Sequence, residues 1–265
     1  MNKIALALAD GGIVAKRNLI KIKRVPDILV FTLMSPIMFV LLFAYVFGGS
    51  IDLPGDLNYR EFLLAGVFVQ TVIFGSTFSG AGMADDMQKG IIDRFRSLPM
   101  SPAAVLVGRT ASDIVNNVLS LGVMSATGLA VGWRIRTSVP EAVVGFLLIL
   151  AFAYAISWVM TYVGLVVPTP EVVNNASFMF IFPLTFIANT FVPSENLPSV
   201  LRTFAEWNPV SAVTQAAREL FGNGPAATGA WSLEHPVVYG LIWVGIILAV
   251  FVPLSVRKYQ QAANK

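Results

Sequence analysis

The chain has 265 residues, of which 56% are hydrophobic and 12% charged, with a mean hydropathy of +0.73, a formal charge of +3 and no cysteine. Soluble domains carry about 25% charged residues, so this composition excludes a soluble globular protein and describes a polytopic membrane protein held together by helix packing, without disulfides or thiolate metal ligands. The basic balance follows from the Lys and Arg that membrane proteins gather on their cytoplasmic side, and it implies no nucleic-acid partner.

Residues 1–25 mix Lys3, Lys16, Arg17, Lys21, Lys23 and Arg24 with Ile13, Leu19, Ile20 and Ile22. The mixture fits an amphipathic interfacial helix with its basic side chains on anionic headgroups, or a plain positive-inside flank. The apolar run Ile4 to Ala9 is short for a secretory signal and ends at Asp10, so this stretch is expected to remain in the mature protein. Pro26 then permits a change of direction.

Six apolar segments follow, at 28–47, 62–83, 103–133, 142–167, 172–191 and 237–256, each near or above the roughly 20 residues that cross a hydrocarbon core. Ser101-Pro102, Thr169-Pro170 and His235-Pro236 precede three of them, and a capping residue before a proline is a helix start. The expected fold is a single all-α membrane domain over 1–265 with six transmembrane helices. The fourth and fifth, joined by Pro168-Thr169-Pro170, are expected to be antiparallel neighbours.

Of the 18 Lys and Arg, all but Arg60, Arg134, Arg136, Arg202 and Arg218 fall on the side that holds both termini, which makes that side cytoplasmic. The charged loop at 84–102 lies there. In it Ile91, Phe95 and Leu98 form one helical stripe, with Lys89, Asp93, Arg94 and Arg96 on other faces, a surface suited to docking. The largest outer element, 192–236, carries helical spacing over Leu197, Val200, Leu201, Phe204 and Trp207, and again over Val213, Ala216, Ala217 and Leu220 after a break at Asn208-Pro209. Two short amphipathic helices on the outer membrane surface are expected, with Trp207 and Trp231 in the headgroup layer.

The chain has no phosphate-binding glycine loop of the P-loop type. Its one histidine, His235, sits at a helix start, and no His, Cys or carboxylate cluster has metal-ligand spacing. No ionisable residue is expected deep in the bilayer. Arg109 and Asp113, one turn apart, read as a local ion pair, and Asp85-Asp86 as the solvated start of an amphipathic helix. Ion-driven transport is therefore disfavoured, and the energy is expected from a partner.

Gln70, Ser76, Thr77, Ser79, Asn116, Asn117, Asn174, Asn175, Thr185 and Asn189 either line a substrate path or hydrogen-bond between helices. Gly75, Gly80, Gly82, Gly128 and Gly132 read as close helix packing. Pro36 and Pro183 are expected to kink their helices. Around them Met34, Phe39 and Phe43, and Met179, Phe182 and Phe186, form walls for a planar or lipidic substrate, or face lipid. With Gln70, Phe74 and Asn175 they make the candidate path.

Three runs carry a family resemblance across nearly the whole chain: Arg17-Asn18-Leu19 through Arg24, Pro26 and Pro36 to Leu42-Phe43 and Tyr45-Val46-Phe47-Gly48-Gly49; Gly90 to Met100, GIIDRFRSLPM; and Asn208-Pro209 leading into Ala217-Arg218-Glu219-Leu220-Phe221. In this order they resemble the membrane subunits of ABC type-2 exporters, specifically the daunorubicin/doxorubicin-resistance permeases. The resemblance implies a non-catalytic permease in the plasma membrane, paired with a second copy or paralogue. Two separate ATPase subunits would bind ATP and Mg, leaving this chain without a cofactor. It also implies that Gly90, Ile91, Asp93, Arg94, Phe95, Arg96, Leu98 and Pro99 form a coupling helix seated on the ATPase. The N-terminal segment would be a connecting helix, the outer element a set of gate helices, and the path would run along the first, second and fifth helices. Many relatives have a glutamate shortly before the coupling glycine. Here Gln88-Lys89 stand there, so no acidic contact is assigned.

The expected cargo is a hydrophobic or amphipathic small molecule of the drug or antibiotic kind. The alternatives are a cell-envelope lipid or lipid-linked polysaccharide carried by the same architecture, and, more remotely, a membrane enzyme acting on lipids.

Overall fold

A computed structural model describes residues 34, 37–47, 58–91, 102–194, 197–224, 226–227 and 229–262, and among them every regular element is helical. Helix α1 (Ile37–Val46) is short and apolar, with π-helical winding over Phe43–Phe47. It is followed by α2 (Tyr59–Gly75), α3 (Thr77–Gln88), α4 (Pro102–Ala130), α5 (Val139–Val166), α6 (Pro170–Phe186), α7 (Ser199–Glu206), α8 (Pro209–Phe221), α9 (Trp231–Glu234) and α10 (Pro236–Ala262). Three described stretches are long and apolar enough to cross a membrane: Tyr59–Gln88, which joins α2 to α3, Val139–Val166 and Pro236–Gln261. Helix α4 has the length, 29 residues, but it carries Arg109, Asp113, Asn116 and Asn117.

Helix α5 is the hub. It is apolar on every side and packs on α10, α3, α8, α4 and α2, as a helix buried within a bundle does. Its start is set by local chemistry: Glu141 Oε2 accepts from the Ser138 backbone N–H at 2.9 Å and from Ser138 Oγ at 2.7 Å. These bonds satisfy donors that the first turn leaves open and hold the Glu141 carboxyl near the positive helix end.

One long span is interrupted midway. Between α2 and α3 the helix loosens at Ser76, whose Oγ donates to the Val72 carbonyl at 2.8 Å and the Ala153 carbonyl on α5 at 3.3 Å, while Thr77 Oγ1 donates to Phe74 O at 2.7 Å. Ser76 thus makes an interhelical hydrogen bond of the kind expected for these hydroxyls, while the bond of Thr77 is local. Below the break α3 lies backbone to backbone on α5. A Cβ on Gly164 would stand 2.3 Å from the Gly80 carbonyl oxygen, and one on Gly80 would stand 2.6 Å from the Met160 oxygen. The packing role expected for Gly80 is present, with Gly164 as its partner. Gly132 differs: its φ of +101° belongs to the turn that ends α4, and a Cβ there would meet nothing within 4 Å.

Two apolar cores result. The larger joins α2, α5, α8 and parts of α10 around Phe68, Ile149, Phe152, Val213 and Phe221. The smaller, at the other end, gathers Met83, Leu106, Trp158, Leu165 and Tyr259.

Two expectations change. The fourth and fifth apolar segments are consecutive but not extensively packed: α6 lies mainly against α3, meeting α5 far less. The extended turn at Val167, with φ −94° and ψ 137°, leads the chain away, and Val173 instead fills the space over Gly80. The outer element does not rest wholly on a surface. Helix α7 does, exposing Val200, Leu201 and Phe204, but α8 is buried from Val210 through Arg218 between α2, α5 and α10. Its Ala212, Ala216 and Ala217 are small enough to admit three neighbours at close range, a property that spacing alone does not reveal.

The Gly80–Gly164 contact makes a direct expectation. Gly164→Leu would force α3 off α5 and destabilise the protein by at least about 1–3 kcal/mol, the usual cost of overpacking, read as a lowered midpoint in detergent thermal unfolding; Gly122→Leu, at a position with open space, serves as the control.

Candidate functional site

Two regions hold the residues singled out above: the end of α3 that leads into the charged loop, and the face shared by α1 and α6.

At the first, α3 ends at Gln88, and Gly90 takes φ +64° with its N–H on the Met87 carbonyl at 3.1 Å. A left-handed glycine just past the last turn is a common helix stop. The stretch from Ala84 to Pro102 is therefore not one continuous helix: α3 contributes Ala84 to Gln88 and the chain turns at Gly90 before Ile91. Asp93, Arg94, Phe95, Arg96, Leu98 and Pro99 lie outside the described residues, as does the N-terminal segment 1–25.

Asp85 and Asp86 diverge. Asp85 pairs with Lys89 at 2.8 Å on the surface, which holds the Lys89 ammonium above its ordinary pKa through that hydrogen bond. Asp86 is buried, and its Oδ2 accepts from Arg109 Nη1 on α4 at 2.9 Å. Arg109 Nε also donates to the Ser79 carbonyl at 3.2 Å, and Ser79 Oγ donates to the Asp113 carboxylate. The expected solvated Asp86 and the expected Arg109–Asp113 pair are thus both replaced by ties between helices. The cause is reach: Arg109 extends over Gly82, where a Cβ would stand 1.7 Å from Nη2.

At the second region the rings form a chain. Phe39 stacks on Phe43 at 5.5 Å, Phe43 on Phe191 at 4.7 Å, Phe191 meets Phe186 at 5.1 Å, and Phe186 stacks on Phe182 at 4.0 Å. Phe74 meets Phe178 at 5.5 Å nearby. Met34, Asn175, Met179, Phe182 and Phe186 are exposed, Phe43 and Phe74 are half-buried, and Gln70 is buried with no hydrogen-bond partner for its amide among the described residues. The structure thus joins the candidates of the first and fifth segments through Phe191, and it sets Gln70 apart from that open face.

Phe191 can act as this link because α6 stops at Phe186, one turn after Pro183. The chain then folds back so that the Thr190 carbonyl rests against Gly66 of α2. Arg218 of α8 secures that turn. Wholly buried, it donates from Nε to Phe62 O at 2.9 Å and from Nη2 to Asn189 O at 2.7 Å and Thr190 O at 2.8 Å, with its guanidinium 3.5 Å over the Phe62 ring. Asn208 Nδ2 adds a bond to Leu184 O at 2.7 Å. Counting Arg218 as an outer basic residue missed this role; it lies on the polar face of α8 with Ser211, Thr214 and Gln215, and its one signal in the sequence is its place in the run Ala217 to Phe221 that carries the family resemblance. Close by, Arg136 pairs bidentately with Glu61 at 2.7 and 2.8 Å, which raises the Arg136 pKa, and Trp133 Nε1 donates to Asn223 Oδ1 at 2.6 Å.

The family model for the ABC-2 type transporter matches residues 11–221. The daunorubicin resistance ABC transporter permease protein DrrB1 of Streptomyces coeruleorubidus is 32% identical over 244 residues, covering 92% of this chain and 83% of that protein. The chain belongs to the ABC-2 type transporter family. A second relative, the DrrC permease of Mycobacterium tuberculosis named for doxorubicin resistance, is 23% identical over 86% of this chain and 80% of its own length. The doxorubicin resistance permease DrrB of the same organism is 25% identical over 72% and 67%. The match to the ABC-2 type runs through the charged loop and α8, so both regions lie within the part of the chain that the family shares.

Arg218→Met would leave three buried carbonyls without their donor, at a cost of about 1–3 kcal/mol for each acceptor not otherwise satisfied. Arg218→Lys would not restore the loss, since one ammonium cannot reproduce the planar fork that spans two elements. Both would show in detergent thermal unfolding and in faster amide exchange over 187–192.

Proposed function

We propose that this chain is the permease subunit of an ATP-driven exporter for a hydrophobic or amphipathic small molecule. The observation that carries the reading is the stacked aromatic face of α1 and α6, on a chain similar over 92% of its length to a daunorubicin resistance permease. Anthracyclines are planar and amphipathic, and exposed rings offer such a cargo stacking surfaces at small conformational cost.

The domain crosses the plasma membrane six times with both termini in the cytoplasm. Two copies, or this chain and a paralogue, enclose the path between their α1, α2 and α6 faces. Two separate ATPase subunits bind ATP and Mg and dock on residues 90–99, where Ile91, Phe95 and Leu98 make the contact. Closure of the ATPases does work on the membrane only if their closed state holds the two docking segments in a different relative position from the open state. The left-handed turn at Gly90 supports a docking segment that leaves the α3 axis abruptly, and the charged face of the segment supports a cytoplasmic location.

Phe95→Asp and Phe182→Ala/Phe186→Ala separate the two halves of this proposal. In proteoliposomes holding the permease and its ATPase, Phe95→Asp abolishes daunorubicin export and releases the ATPase from the membrane. The double alanine variant keeps the ATPase bound and weakens daunorubicin export about tenfold, the scale of two aromatic contacts at ~0.5–1.5 kcal/mol each. Normal export by a correctly assembled Phe95→Asp complex overturns the docking assignment, and unchanged daunorubicin transport in the double variant overturns the aromatic wall.

A further inference from the structure

We infer that Arg109 is a positioning residue of energy coupling: with Asp86 and Ser79 it locks the inner ends of α3 and α4 into one rigid lever. The inference rests on the docking role proposed for residues 90–99, because α3 and α4 are the two arms on either side of that segment.

The geometry is that of a clamp. Ser79, Gly82 and Asp86 fall at i, i+3 and i+7 on α3, so they share one face. Arg109 and Asp113, at i and i+4 on α4, share the face opposite. The Arg109 guanidinium lies along the α3 stripe, bonded to the Ser79 carbonyl at one end and to the Asp86 carboxylate at the other, with bare Gly82 beneath it. One turn along α4, Asp113 accepts from Ser79 Oγ. Only 16% of the Arg109 side chain and 8% of that of Asp86 are exposed, so the pair is weakly screened.

Packing does not otherwise join these arms. Helices α3 and α4 meet at few places, and each packs far more extensively on α5. The apolar contacts nearest the clamp, around Met83, Leu106 and Trp158, are non-directional and permit sliding. A guanidinium that bonds a carbonyl and a carboxylate on one stripe does not permit it. With the clamp closed, a push on the segment between the arms moves α3 and α4 together below the loosened turn at Ser76. With it open, the same push displaces one arm while the other stays on α5. The clamp residues lie outside the docking segment at 90–99, so their loss lowers work per ATP without lowering ATPase binding.

The test uses the full-length permease with its ATPase in proteoliposomes, reading three quantities: ATPase captured with the permease, ATP hydrolysed, and daunorubicin moved. Asp86→Asn/Arg109→Gln removes both charges of the pair together and keeps Ser79 Oγ as the partner of Asp113, which makes it the variant most suited to folding. It is expected to retain full ATPase capture while daunorubicin moved per ATP falls about tenfold, within the range of ordinary coupling energies. Because the chain has no native cysteine, Asp86→Cys/Arg109→Cys is the second variant: uncoupled as made, and recoupled when a short bifunctional thiol reagent bridges the two helices. Export per ATP within twofold of the parent in the neutral double variant overturns the inference, as do loss of ATPase capture and failure of the bridge to restore coupling. Phe95→Asp in parallel tells the two proposals apart. If it stays coupled, the docking assignment is wrong and the lever reading falls with it; if it uncouples while the neutral double variant stays coupled, the clamp alone is wrong.

Discussion

Arg218 donates to three carbonyl oxygens from a position closed to solvent, and one end of the bundle depends on that arrangement. In a membrane protein a backbone group that leaves its helix must find a partner inside the protein. Pro183 and the end of α6 at Phe186 release such groups, and the turn at 187–192 would expose them to an apolar surround. Arg218 absorbs two of them and a third from the start of α2, while the Phe62 ring lies against the guanidinium face. The irregular turn is thereby affordable, and with it the position of Phe191, which connects the rings of α1 to those of α6.

The same constraint organises the other end with a different set of side chains. Arg109 and Asp86 satisfy one another between α3 and α4, and Ser79 bridges to Asp113. Each charged group that enters the bundle finds a partner on another helix and so joins elements that apolar packing brings together only loosely. Helix α5 differs because it needs no such help: its glycine at 164 lets α3 approach to backbone contact, and its apolar sides meet six other helices. The bundle is a hub of dispersion and close packing, with polar ties between helices at each end.

The proposed sites of transport and coupling fall at the two ends of this division. The aromatic face is open and lies on α1 and α6, where most of the rings are exposed or half-buried. The tied charges lie near the turn at Gly90, on the two helices that flank the charged loop. The hub between them is close-packed, and such interiors resist compression.

The sequence by itself determined the class of the protein. Apolar runs of span length, the sparse and lopsided charge and the missing phosphate loop follow from the solvent that the chain meets, and solvent acts on each segment separately. Helix starts at Pro102, Pro170 and Pro236 were legible because a proline at the first helical position acts locally, and the membership of the ABC-2 type followed from ordered motifs. Only the tertiary structure decided what joins what. Arg218 read as one more outer cation, Asp86 as a solvated residue and α8 as a surface helix, since burial and pairing depend on which helices become neighbours. Gln70 and Phe191 make the same point: one was placed on the path and is enclosed, the other closed a segment and links two aromatic walls. Pairwise contacts between distant segments are written in shape complementarity, and shape emerges only when the helices are packed.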